Sequence, residues 1–300
     1  MGFEVAVIGA IGIDTNVYLS GSEIDFSVEA TFTEVVDCIG QAGGYVSQSL
    51  KRLGHEVCFV GFVGSDYFGD HIRETLSAQG IDIAFLKTDP LGTKRSVNIM
   101  YKNGERKNFY DGRGAMALKP DVEAIKKYLF GTKLAHVNIV NWSRFLLKPL
   151  REAGLVISVD IQDVTDPDDL YREDYVREAD VLFFSSTNFR DPTPIISKYL
   201  RVRNDRIVIC GMGKRGCALG TEHGINFFGP VELDEPVVDT NGAGDSLAAG
   251  FLSSYFLEGY TLEESILRGQ IAARYCCSKK GVSSDLITKE QLDKTFAGKK

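Results

Sequence analysis

The sequence predicts an α/β fold: a mainly parallel sheet with helices on both faces and a small β-sheet lid. Three observations predict it. Short, nearly continuous apolar runs recur along the chain, as they do in strands buried on both faces. Amphipathic helical patterns separate these runs, as crossover connections between parallel strands require. Two β-rich segments break the alternation and are left over for a separate small sheet.

The elements follow in order. Residues 5–9 read as the first strand, within an apolar run that Asp14 closes. From 16 to about 36 the chain is rich in β-branched and aromatic residues and poor in helix signals. Val46, Leu50 and Leu53 then recur at helical spacing before Gly54, and Phe68, Ile72 and Leu76 do so before Gly80. Residues 57–63 form the strand between them. The segment 96–110 reads SVNIMYKNGERKNFY, in which Asn103 and Gly104 suit a type I′ hairpin turn. Further strands are expected at 134–140, 155–160, 181–184 and 207–210, and CALGTEHGINFF as two short strands about a glycine turn. Thr261 and Glu264 match a capping box opening a late helix that carries Leu262, Ile266, Ile271 and Tyr275. The last four residues are expected to fray. The expectation is one domain over 1–300, its lid built from insertions at approximately 12–36 and 94–113.

Of the 300 residues, 44% are hydrophobic and 25% charged, which suits a soluble globular protein, and the net charge of −7 argues against a nucleic-acid partner. No run approaches the roughly 18 apolar residues of a membrane span, so no membrane partner and a cytoplasmic location are expected. The six cysteines lack CxxC spacing and read as reduced core residues, and the four histidines show no metal-ligand spacing.

The segment that carries chemistry is DTNGAGD, residues 239–245, followed by an apolar run of helical length. Small residues at a helix start leave its first N–H groups and the positive end of its dipole open to an anion. A phosphoryl group in transfer gathers charge that such fixed donors stabilise. Asp245 in the first turn has two readings: a base that accepts the proton of an attacking hydroxyl, or an acid that complements the helix dipole.

DTNGAGD resembles the C-terminal signature of the ribokinase-like, or PfkB, carbohydrate kinases. The resemblance extends over nearly the whole chain, through VIGAIGIDTNVYL, AGGYVSQSLKRLG, VGFVGSDYFGD and the hairpin that ends in GRGA. It implies a Rossmann-like doubly wound core with a β lid, and an ATP-dependent kinase whose acceptor is a sugar, sugar acid, sugar phosphate or nucleoside. It makes Asp245 the base and Gly242, Ala243 and Gly244 the anion hole. It assigns the acceptor to Asp14, Gly43, Gly44, Gln48 and Arg113, and the nucleotide to Ser185, Gly211, Gly213, Gly216 and Gly269. The cofactors implied are ATP and Mg2+, with K+ at Asp239, and a homodimer through the lid is a further expectation. Asp14 also reads as a turn residue, Tyr45 as simple packing, and Asp239 as a brace for its turn.

CGMGKRG fits GxGxxG after a strand, so an NAD-dependent oxidoreductase is the competing enzyme class, but that fingerprint must open a helix and here precedes two strands. No GxxxxGK[ST] occurs. Two departures from the family pattern are visible. Ser185 and Asn188 stand where relatives carry Asn and Glu, removing a negative charge near the phosphates, and Gln48 replaces a sugar-binding Asn. The first leaves open a catalytically impaired member that only binds ligand; the second, with Tyr45 and Arg113, favours an acceptor larger than ribose.

Overall fold

The structure, a computed structural model, describes residues 2–21, 23–102, 106–281, 283 and 285–299. The expected Asn103–Gly104 turn and the terminal Lys300 lie outside them. Nine strands form one sheet: β1 (Val5–Ile8), β4 (Val57–Val63), β5 (Asp82–Thr88), β8 (Leu134–Asn138), β9 (Val156–Asp163), β10 (Val181–Ser185), β11 (Ile207–Gly211), β12 (Cys217–Thr221) and β13 (Gly224–Phe228). Their order is β13-β12-β11-β10-β9-β8-β1-β4-β5. Pairing is parallel except at β11–β12 and β12–β13. Strand β5 was absent from the expectation because IDIAFLKT alternates as a half-exposed edge does, without a continuous apolar run.

Helices cover both faces. On one side lie α1 (Gln41–Arg52), α2 (Tyr67–Ala78), α7 (Ala243–Leu252) and α8 (Leu262–Cys276). On the other lie α3 (Val122–Tyr128), α4 (Arg144–Glu152), α5 (Glu173–Glu178) and α6 (Thr193–Val202), and α9 (Lys289–Ala297) packs beside α8. Successive strand side chains point to opposite faces, so Val5 and Val7 enter one core while Ala6 and Ile8 enter the other. Thr261 and Glu264 form the expected capping box.

The chain runs from β1 outward to β4 and β5, then returns to the far side of β1 with β8. This is a switch point, where doubly wound sheets open a crevice beyond the strands' carboxyl ends. Over that crevice stands the second sheet, β2 (Gly12–Tyr18), β3 (Glu34–Gly40), β6 (Lys94–Met100) and β7 (Arg106–Asp111), in the order β3-β2-β6-β7. Its two halves come from the two segments that broke the α/β rhythm.

Candidate active site

DTNGAGD folds into a tight turn and the first turn of α7. Gly242 adopts φ +70°, a conformation strained for other residues, and a Cβ there would stand 3.1 Å from the Tyr45 ring. The first helical bond runs from Ser246 N–H to Gly242 O at 2.8 Å. The N–H groups of Gly244 and Asp245 precede that ladder and have no intrahelical acceptor. Gly244 is exposed, Ala243 is half-buried, and a Cβ on Gly244 would meet nothing within 4 Å. The helix end is therefore open to an anion.

Asp245 is half-buried as a residue, and burial of its carboxyl first, then the like charges of Asp160 and Asp14, push its pKa well above the usual carboxylate range. Arg106 opposes them. A carboxylate made more basic in this way is a better proton acceptor than a free one. Asp160, buried at the carboxyl end of β9, is itself pushed up to about 6 by burial, although its carboxylate accepts the Gln162 N–H at 2.7 Å.

The underside of the lid supplies the opposite wall. Strands β2 and β6 pair Asp14 with Ser96, Asn16 with Asn98 and Tyr18 with Met100. Asp14 accepts from Gln41 Nε2 at 2.9 Å and from the Tyr45 hydroxyl at 3.0 Å, and Gln41 Nε2 also donates to Ser96 Oγ at 2.7 Å. Burial raises the Asp14 pKa against these bonds. From β7, Arg106 donates to the Asn241 side-chain oxygen.

A kinase signature, an open helix end and a lid thus meet at one crevice. The model of the pfkB family of carbohydrate kinases matches residues 3–289. The chain belongs to this family. It is 28% identical over 294 residues to an acarbose 7(IV)-phosphotransferase of Actinoplanes sp., covering 96% of this chain and 97% of that protein. A solved microbiome-derived acarbose kinase superposes with a TM-score of 0.90 at 28% identity, covering 99% of this chain and 100% of the other. A ribokinase of Arabidopsis thaliana, solved with ribose and ATP, shares the fold at a TM-score of 0.81 and 19% identity, covering 99% of each chain. The protein is an ATP-dependent phosphotransferase acting on a sugar-like molecule.

In this pfkB-family kinase several expected contacts sit elsewhere. Gln48 lies seven residues along α1 from Gln41, roughly 10 Å deeper. Its amide bonds Gly44 O at 3.0 Å and Gln79 at 3.1 Å, away from Asp14. Gly43 and Gly44 face the strands rather than the cleft, since Cβ atoms there would lie 2.6 Å from Ala10 O and 3.2 Å from Ile11. Close helix-on-sheet packing demands the glycine at 43 and leaves little room beyond one at 44. Gly269 serves α7 against α8 in the same way, with Leu247 O 2.8 Å from its absent Cβ, so it faces a helix and not a nucleotide. Arg113 pairs with Asp111 at 3.2 Å and reaches Thr93 O at 3.4 Å, at the base of the lid.

Ser185 and Gly211 end the adjacent strands β10 and β11, and Gly211 and Gly213 have open surroundings, whereas Gly216, at φ +89°, lies tight against Phe228 O. A short 3-10 turn at Gly213–Arg215 lies within GxGxxG and the antiparallel β12 follows it, so the helix a dinucleotide needs is missing there. Asn188 spends its amide on Val164 O at 3.1 Å. The carboxylate of Asp239 accepts from the Tyr18 hydroxyl at 2.5 Å and from the Asn241 N–H at 2.8 Å, one bond to each oxygen, as a brace for the turn does. Among the described residues no three His, Cys, Asp or Glu side chains form a metal cluster. Ser185 stands beside Asp163 in register at the ends of β10 and β9, oxygen donors of the kind magnesium takes alongside phosphates and waters.

The residues missed at the sequence level are Gln41, Asn16, Asn98, Arg106, Asn241 and Asp160. Asn241 and Asn16 lie within DTNGAGD and VIGAIGIDTNVYL, and Asp160 carried a signal as a carboxylate ending an apolar parallel strand. The others depend on strand register across the lid.

Proposed function

We propose that this kinase transfers the γ-phosphoryl group of ATP to a hydroxyl of an acarbose-like carbohydrate rather than free ribose, with Asp245 as the base. One observation carries the reading: a carboxylate of raised basicity stands in the first turn of α7 beside N–H groups open to an anion. Asp14 and Gln41 present polar atoms to the acceptor from beneath the lid, which suits a molecule rich in hydroxyls. Asp245 takes the acceptor proton as its oxygen attacks phosphorus, and the N–H groups of Gly244 and Asp245 hold the charge of the moving group. The nucleotide lies along Ser185, Gly211 and Gly213. Magnesium, with Ser185 and the neighbouring Asp163 as nearby oxygen donors, would neutralise phosphate charge. The lid keeps water from the transfer.

The outer lid face carries Val35, Val97 and Phe109 exposed, and we assign it to a second copy of the chain. No helix is long and apolar enough to cross a membrane among the described residues. The proposed location is the cytoplasm.

A coupled ADP-release screen over acarbose, fructose, 5-dehydro-2-deoxygluconate, ribose and nucleosides tests the acceptor. Asp245→Asn should lower kcat on the best of them at least ~100-fold with the fold intact. Near-normal turnover of that variant would overturn the role of Asp245. Thermal stabilisation by a sugar with no ADP release from any acceptor would establish the binding-only reading instead, which the missing charge at Asn188 motivates.

A further inference from the structure

Four asparagines cross the lid in a line. Asn108 on β7 donates to Asn98 Oδ1 at 2.7 Å, Asn98 on β6 donates to Asn16 Oδ1 at 2.9 Å, and Asn241 donates to the same Asn16 oxygen at 2.8 Å. Asn241 belongs to the DTNGAGD loop. The last three are buried, with exposures of 2%, 0% and 5% for Asn98, Asn16 and Asn241. Asn16 uses its own N–H group on Val36 O and the Cys38 sulfur at 3.5 and 3.6 Å, so little of its hydrogen-bonding capacity is spare.

The line sits in the middle of three rungs on the lid's underside. Asp14 with Ser96 forms the first and Tyr18 with Met100 the third, each rung roughly 6.6 Å from the next along the strands. On the reading above, the first rung meets the acceptor. The third grips the anion-hole loop, through Tyr18 on Asp239 and Met100 Sδ, 3.6 Å from the Asn241 amide. Arg106 closes the same contact from β7. Beneath the lid a displaced amide is left without a partner, which burial penalises strongly, so the lid strands and the loop must move together.

We infer that Asn16 and Asn98 are positioning residues that tie the seating of the lid to the shape of the anion hole. They touch neither the phosphoryl group nor its donors; they hold Asn241, and through it the backbone leading into Gly242 and α7. The hole is then fully formed only beneath a seated lid. This inference rests on the anion-hole reading of residues 242–245.

The test compares binding of Mg-ADP with binding of Mg-ADP plus fluoroaluminate, a mimic of the moving phosphoryl group that needs the hole but no identified acceptor. Asn98→Ala should weaken the fluoroaluminate complex ~10-fold or more while the affinity for ADP alone changes less than ~2-fold, since only the former draws on the positioned donors. Asn98→Leu, near in volume and unable to make either bond, should behave alike and serves if the alanine variant does not fold. Lys107→Ala, on the outer lid face, is the control. Equal weakening of both ligands, or of neither, overturns the inference while the kinase reading stands. Wild-type protein that binds fluoroaluminate-ADP no tighter than ADP overturns the anion-hole reading itself.

Discussion

Asp160→Asn is expected to stabilise the protein at neutral pH and to shift its activity toward acid. Asp160 is buried between β8 and β10, facing Asn138 and Phe183 in register, and burial pushes its pKa to about 6 from 3.8. A rise of about 2 units corresponds to roughly 3 kcal/mol of difference between its protonated and ionised forms in the fold. Because the folded-state pKa is raised, the contribution to stability is fully present below pH 3.8 and lost as pH rises through about 6. At pH 7.5 the native state therefore carries an unfavourable buried charge. Asparagine removes that charge and keeps the oxygen that accepts the Gln162 N–H. Urea unfolding at pH 7.5 should show a gain of about 1–3 kcal/mol, and the gain should vanish near pH 4. The same charge helps to raise the Asp245 pKa, so the acid limb of kcat/KM should move to lower pH in the variant. Equal destabilisation at both pH values, or an unmoved acid limb, would refute the reasoning.

Other perturbations follow from the same geometry. Arg106→Gln removes the cation that opposes the rise at Asp245, and its acid limb should move the other way, to higher pH, in a pH–rate profile. Gly242→Ala forces a side chain into φ +70° beside the Tyr45 ring; a cost of about 1–3 kcal/mol by urea unfolding and a fall in kcat are expected. Gly269→Ala should cost about 1–3 kcal/mol by pressing on Leu247 O, with the KM for ATP little changed. A raised KM at unchanged stability would instead restore Gly269 to the nucleotide site. Phe109→Glu on the outer lid face should convert a dimer to monomers by light scattering.

The parallel sheet, its covering helices, the two β-rich segments of the small sheet and the helix start with small residues at 239–245 were legible in the sequence, because each rests on local signals. Apolar strands buried on both faces, helical spacing, a capping box and small residues at a helix start all act over a few neighbours. The edge strand β5 was not legible, since one exposed face removes the continuous apolar run. Within the site, AGGYVSQ shows which residues are present but not how deep each lies. Gln48 shares a helical stripe with Gln41 and Tyr45, yet sits two turns farther down, where Gln79 meets it. Likewise a glycine looks the same in sequence whether a ligand or a neighbouring strand needs its missing side chain, and at Gly43 and Gly269 the neighbours need it. Tertiary structure alone brought Asn16, Asn98, Asn241 and Arg106 together, and set Asp160 and Asp14 against Asp245. Their partners lie up to 225 residues apart, and only strand register and the seating of the lid over the β1–β8 crevice decide that they meet.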